Sequence, residues 1–329
     1  MVIWEKYYGP ANQWDEYVAA LSGVFYQTYG WGEVRRIAGW TPLRMLARRE
    51  GKVVAAASIL VKRKLGAAVC WIPGGPIAVS NLLDENFRSS LGLALDTKIY
   101  YCRISLLRTD QGHEDVFLSN AGWKRPTVAM SSGLTMSYSL AGDESERLNR
   151  TSSNWRHNLK RSGRYGLLIE HWKTPDVDAI VALYREMESL KSLPVQHSAD
   201  ELTALFAECN DSVVVYRCLD DSGNLLAIRA AGLCGTTAMD LLAVSGISAR
   251  KVYASHATLW ALLSHCNRVG LKDYDLSGVD PLGNKGVYDF KHGTGATLVE
   301  CIPEREWASI PGLRSAVNWM VSRKLSPHS

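Results

Sequence analysis

Two stretches of this chain repeat one pattern of apolar and polar positions. Residues 51–77 and 223–247 each open on a glycine-containing turn and run through small apolar residues (Ala55, Ala56 and Ala57; Ala230 and Ala231). Each then turns and returns as a second apolar segment that ends near glycine. Another strand-like run precedes each stretch, at 42–48 and 213–218, and a helical period follows, at 82–95 and 254–269. The spacing predicts one strand, hairpin and helix unit used twice, about 170 residues apart. Strands and helices that alternate in this way predict a mixed α/β sheet in each half.

The densest local signal lies between Asp273 and Glu300. A strand is predicted at 274–276, a break at Ser277-Gly278, and a loop holding Pro281, Gly283 and Gly286. An aromatic strand is expected at 287–290, followed by Lys291 beside His292. The chain then passes Gly293 and Gly295 into another strand at 296–301. Glycines this close together mark positive φ or a close backbone approach. Lys291 in such a frame is either a fixed cation for a phosphate or a developing oxyanion, or a solvated lysine on a tight surface hairpin.

A second charged segment runs from Asn154 to Tyr165. Arg156, Lys160, Arg161 and Arg164 fall within nine positions, and Arg156, Lys160 and Arg164 would share a helical face. The stripe suits phosphates, or it is a solvated basic face. Residues 313–325 form an amphipathic helix, read as the cap of a sheet rather than a membrane-surface element.

Bulk properties narrow the classes. A chain of 329 residues fits about two domains of roughly 150 residues each. With 47% hydrophobic and 21% charged residues it is an ordinary globular sequence. A net charge of +4 is too small to mark a nucleic-acid binder by itself. The N-terminus lacks a signal-peptide pattern, and no apolar run nears the ~18 residues of a bilayer span, so stable membrane insertion is not expected. Seven scattered cysteines without a CxxC pair read as reduced thiols of a cytoplasmic protein. No metal site is expected. With neither a P-loop nor a dinucleotide fingerprint, no cofactor is expected either.

Tyr274-Asp275-Leu276-Ser277-Gly278, followed by Phe290-Lys291 and the glycines to Gly295, resembles the C-terminal signature of the Fem (FemABX) family. Its members are non-ribosomal peptidyltransferases that use aminoacyl-tRNA. One departure is Thr294, where the family pattern has a second aromatic residue. The resemblance implies an α/β fold of two tandem GNAT-like domains with mixed sheets flanked by helices. It further implies a first, acceptor-side domain of residues 1–144 plus 304–329 and a second, donor-side domain of residues 145–303.

Site residues follow from the same resemblance. Lys291 would stabilise charge at the reacting ester, inside a pocket drawing on Tyr274, Asp275, Gly278, Tyr288 and Phe290. Trp31 to Arg35 is similar to the family's Trp-x-x-Val-Lys, so Trp31 and Arg35 would contact the acceptor. Leu107-Arg108-Thr109-Asp110 resembles a strand-end motif that places Arg108 at the acceptor and makes Asp110 the group that orients the amine or takes its proton. From the residues alone, Asp110 is equally a turn-forming aspartate. Arg156, Lys160, Arg161 and Arg164 would meet tRNA. Residues 192–197 contain no arginine, although relatives acting on UDP-linked muropeptides carry one in that loop.

The implied activity is transfer of an amino acid from aminoacyl-tRNA to a free amine of a peptide-like acceptor, either a peptide natural product or a peptidoglycan precursor. Neither half shows the glycine loop that ordinary GNAT enzymes use for CoA. Two alternatives stay open. One is a CoA- or carrier-protein-dependent N-acyltransferase on the same fold. The other is a non-catalytic binding protein for nucleic acid or a phosphorylated ligand.

Overall fold

The computed structural model describes residues 2–325 apart from Val79 and Gln111; residues 326–329, assigned above to the first domain, lie outside the described residues. The chain forms two compact units, Met1–Leu134 with Val299–Ser329, and Thr135–Leu298.

Unit 1 holds β1 (Ile3–Lys6), α1 (Ala11–Ala20), α2 (Tyr29–Val34), β2 (Thr41–Arg49), β3 (Lys52–Lys64), β4 (Ala67–Pro73), α3 (Glu85–Leu95), β5 (Tyr100–Ser105) and α4 (Glu114–Asn120). Unit 2 carries β6 (Leu134–Ser139), α5 (Glu144–Arg150), α6 (Ser153–Ser162), β7 (Leu168–His171), α7 (Val177–Lys191), α8 (Ala199–Glu208), β8 (Val213–Leu219), β9 (Leu225–Cys234) and β10 (Thr237–Ser245). It continues through α9 (Ala254–Arg268), β11 (Asp273–Gly278), α10 (Lys285–Gly293) and β12 (Thr297–Glu300). The chain then adds β13 (Arg305–Ala308) and α11 (Leu313–Leu325) to unit 1.

The first sheet runs β1-β2-β3-β4-β5-β13 and the second β12-β6-β11-β10-β9-β8-β7. In both, an antiparallel hairpin leads through a helix to a parallel strand: β3-β4-α3-β5 and β9-β10-α9-β11. The fold class is therefore mixed α/β, with the repeated unit in each half. Burial explains why the hairpin strands read as continuous apolar runs. Residues 55–60 on β3 are buried without interruption, so both faces of the strand are covered and all but Ser58 are apolar.

Helix α3 starts where the Asp84 carboxylate accepts the N–H groups of Asn86 and Phe87. Its buried face, including Phe87, Leu91 and Leu95, joins Trp4 and Trp123 in the core of unit 1.

Two local expectations are corrected. Residues 287–290 are not a strand but belong to α10, started by the Asn284 side chain accepting the Val287 N–H. And α6 ends at Ser162, with Gly163 as its C-terminal cap, so Arg164 lies past the helix and does not extend an Arg156–Lys160 stripe.

Candidate functional site

In unit 2, β10 and β11 pair for three rungs, Thr237–Met239 against Asp273–Asp275, and then part. One extra residue sits between Asp240 and Leu242 on β10, a bulge that bends the strand. On the β11 side Ser277 adopts a left-handed backbone, φ 64°. Its hydroxyl donates to the Asp240 carbonyl at 2.6 Å, a side-chain link where the ladder has stopped. Beside the parted strands lies a cavity of about 890 Å³, lined from β9, β10, α7, α9 and α10 and reaching Gly278 at the end of β11.

Lys291 forms part of the floor and is only 8% exposed. Its ammonium donates to the carbonyls of Ser277 at 3.2 Å and Gly278 at 2.9 Å. An ammonium has three protons, so two are spent on holding the group and one remains for the cavity. Near it lies a buried ion pair, with Arg229 Nη1 at 2.7 Å from Asp240 Oδ2. The other Asp240 oxygen accepts the Tyr274 hydroxyl at 3.0 Å. Burial lowers the Lys291 pKa, with Arg229 adding to the effect, while the Asp240 and Asp275 carboxylates oppose it. Burial likewise pushes the Asp240 carboxyl up, and Arg229 and Lys291 pull it back. Burial and Arg229 together drive His256, on the cavity wall, down to about 4, which keeps its ring neutral at physiological pH.

Helical spacing decides which residues of α10 face this space. Val287, Phe290 and Lys291 line the cavity at i, i+3 and i+4. Tyr288 is absent from the lining and stacks instead on His292, centroids 5.6 Å apart, a second i, i+4 pair. Of the two aromatic residues that the resemblance implied for the pocket, Phe290 therefore lines the cavity and Tyr288 does not. Gly278 reaches the cavity, but Tyr274 is fully buried behind Asp240. The Asp275 carboxylate accepts from the Thr135 hydroxyl and, at 2.7 Å, from the Ser277 N–H.

Most of the remaining expected residues have local partners. Arg161 sits over the Tyr253 ring at 4.6 Å. Arg156 donates to the Thr151 carbonyl at 3.1 Å, while Lys160 is exposed on α6 and Arg164 is exposed beyond its end. In unit 1, Trp31 packs against Tyr26 and Phe25 and lies under the Arg35 guanidinium, 5.5 Å from the ring centroid. The Trp31 indole N–H is buried without a hydrogen-bond partner. Arg108 donates to Glu114 at 3.0 Å and to the Ala78 carbonyl at 2.7 Å. Asp110 accepts the N–H groups of Gly112 and Glu114 at 3.0 Å and of Asp115 at 3.4 Å, the arrangement of a turn-forming aspartate leading into α4.

Sequence reasoning passed over Arg229, Asp240 and His256. The first two had a visible signal: each is the one charge inside an otherwise apolar strand, and charges in such places are paired. His256, within an apolar helix, gave none. Among the described residues, no cluster of three or more His, Cys, Asp or Glu could hold a metal ion, and no helix is long and apolar enough to cross a membrane.

No protein-family model matches the sequence, and no curated protein sequence matches it. Solved structures do. The chain is similar to FemX, with 16% identity over 96% of this chain and 99% of that one, at a TM-score of 0.83. It is also similar to a tandem GNAT protein from the clavulanic acid biosynthesis pathway, with 11% identity over 95% and 100% of the two chains and a TM-score of 0.57. L-PGS from Bacillus licheniformis matches at 11% identity over 97% and 98%, with a TM-score of 0.59. The chain thus has the fold of FemX, two GNAT-like α/β units in tandem.

Proposed function

We propose that this protein is an aminoacyltransferase that moves an amino acid from aminoacyl-tRNA to a free amine of a peptide-like acceptor. The observation that carries this reading is Lys291: a buried ammonium fixed by two carbonyls, with one proton left for an 890 Å³ cavity. In such a reaction the amine nitrogen bonds to the ester carbonyl carbon, and the carbonyl oxygen gathers negative charge. The bond to the ribose oxygen then breaks, and the proton lost by the amine ends on that oxygen. Lys291 would meet the charge as it develops, in a site where no reorganisation is needed. Direct attack needs no covalent enzyme intermediate.

Unit 2 would be the donor side and unit 1 the acceptor side, with Trp31 and Arg35 toward the acceptor. Lys160, Arg161 and Arg164 would lie along the tRNA. The likeness to FemX and L-PGS supports a transferase, and the resemblance at 274–295 supports the donor. Asp110 would start α4 through the N–H groups it accepts, and its Oδ2, which takes only the Asp115 N–H at 3.4 Å, would be the oxygen left for the acceptor amine.

The test is transfer of radiolabel from a pool of charged tRNAs to small peptide acceptors, with and without RNase, beside an acetyl-CoA reaction. RNase-sensitive incorporation is expected. Incorporation from acetyl-CoA alone would replace the donor with an acyl-CoA, and no incorporation from either would favour a binding protein.

A further inference from the structure

The wall of the cavity in unit 2 carries four cations, Arg229, Lys291, Lys191 and Arg250, against one carboxylate, Asp240. Asp240 is engaged by Arg229, so the cavity as a whole is cationic and suits an anionic occupant. Burial lowers the Lys191 pKa, and the charge of Arg250, on the same wall, adds to the effect. Several anions meet that description, and the two donor classes weighed above differ in one respect. An acyl-CoA carries a diphosphate, which helix N-termini bind when the backbone there is bare enough to approach. An aminoacyl-tRNA presents a ribose ester and single phosphodiesters.

Helix α9 begins at this cavity, and Ser255 and His256 in its first turn line the wall. Phosphate-cradling helix starts keep glycine at the close-approach position, because any side chain there stands between backbone and phosphate. Here the residue before α9 is Tyr253. Its backbone is left-handed, φ 58°, a conformation that glycine adopts freely and tyrosine rarely does. The ring is held by the Arg161 guanidinium at 4.6 Å and by the Tyr165 and His256 rings at 6.4 and 6.0 Å. A strained backbone is thus kept at the one place where a glycine would open the helix start.

We infer that Tyr253 is the specificity-determining residue for the donor: its side chain bars the start of α9 to a diphosphate and reserves the cavity for a nucleotide ester. This rests on the aminoacyl-tRNA reading above. Glycine suits φ 58°, so Tyr253→Gly relieves the backbone while uncovering the helix start, and loss of folding is not the expected result.

The experiment is titration calorimetry of the full-length protein with CoA and, separately, with an RNA oligonucleotide ending in CCA. Wild type and Tyr253→Phe should bind CoA at least tenfold more weakly than Tyr253→Gly, and wild type should bind the RNA. A Tyr253→Gly protein with an unchanged melting temperature and no gain in CoA affinity would overturn the inference and leave the donor reading standing. Tight CoA binding by wild type would overturn both. Wild type that ignores the RNA, together with a gain in Tyr253→Gly, would remove the donor reading and keep the role of Tyr253 as a barrier.

Discussion

The two sheets treat the same pair of strands differently. In unit 1 the parallel strands β4 and β5 stay zipped for six rungs, Ala68–Pro73 against Tyr100–Ser105. In unit 2 the corresponding β10 and β11 hold for three rungs and separate at the bulge. Each sheet also buries a charge cluster, and these differ in the same sense. Arg103 on β5 is 2% exposed and is satisfied by Tyr101 at 2.8 Å, Val128 at 3.0 Å, Glu306 at 3.3 Å and Asn318 at 3.2 Å. Asn318, on α11, also donates both ways to the Glu306 carboxylate at 3.0 and 2.8 Å. The C-terminal helix therefore closes the cluster of unit 1. In unit 2 Arg229, Asp240 and Lys291 are also buried, each 8% exposed, but keep one side toward a cavity. A buried charge network closed on every side is architecture; one left open on one side is available for chemistry.

The largest effect should come from breaking the closed cluster. Arg103→Ala removes the guanidinium shared by the buried Glu304 and Glu306 carboxylates and leaves Glu306 with Arg314, at 2.8 Å, as its cation, and a loss of about 3 kcal/mol in unfolding free energy is expected by urea titration. A loss below about 1 kcal/mol would mean that water reaches this cluster and that the contrast is false.

Lys291→Ala is next. Transfer should fall by about 10²–10³-fold, which is roughly 2.7–4 kcal/mol of barrier, while the melting temperature stays near that of wild type. Burial already lowers the Lys291 pKa, so activity should decline on the alkaline side before pH 10.5, the ordinary lysine value. Asp240→Asn removes a charge that holds this pKa up, and the alkaline limb should move to lower pH.

His256 gives a smaller effect with a definite sign. Its folded pKa is about 4 against an ordinary 6.5, so between those values the unfolded chain binds the extra proton. Stability should be fully present above pH 6.5 and decline as pH falls toward 4, by up to about 3 kcal/mol. His256→Phe should flatten that stretch of the stability–pH curve, read from urea midpoints at pH 7 and pH 5.

The smallest expected change is at Asp110. Replacement by Ala should cost about 1 kcal/mol through the lost turn and helix start, whereas Asn should retain most of it. Transfer by the Asn variant near the wild-type rate would separate the structural duty from any catalytic one.

The repeated hairpin units were legible because both faces of their strands are covered, which turns burial into unbroken apolar runs. The α10 segment was not. Val287, Tyr288 and Phe290 favour strands on their own, and flanking glycines suggested a hairpin. The deciding facts are tertiary: Gly293 lies so close to Trp155, and Gly295 to the Arg150 carbonyl, that added Cβ atoms would stand 2.9 and 2.5 Å from them. Those glycines serve packing against the neighbouring helices rather than a turn between strands. Lys291 could be singled out by its surroundings in sequence, and Arg229 and Asp240 as lone charges in apolar strands, but nothing in the strand pattern encodes the bulge beside Asp240.

That extra residue has a further consequence. Asp240 pairs with Ala231 before it and Leu242 with Ala230 after it, so the ladder on either side is in step. The aperture is therefore a matter of chain length and not of side-chain identity. Deleting the single residue Leu241 should bring β10 into unbroken register with β9 and narrow the gap to β11, and an unchanged transfer rate in that variant would mean that the bulge is not what holds the strands apart.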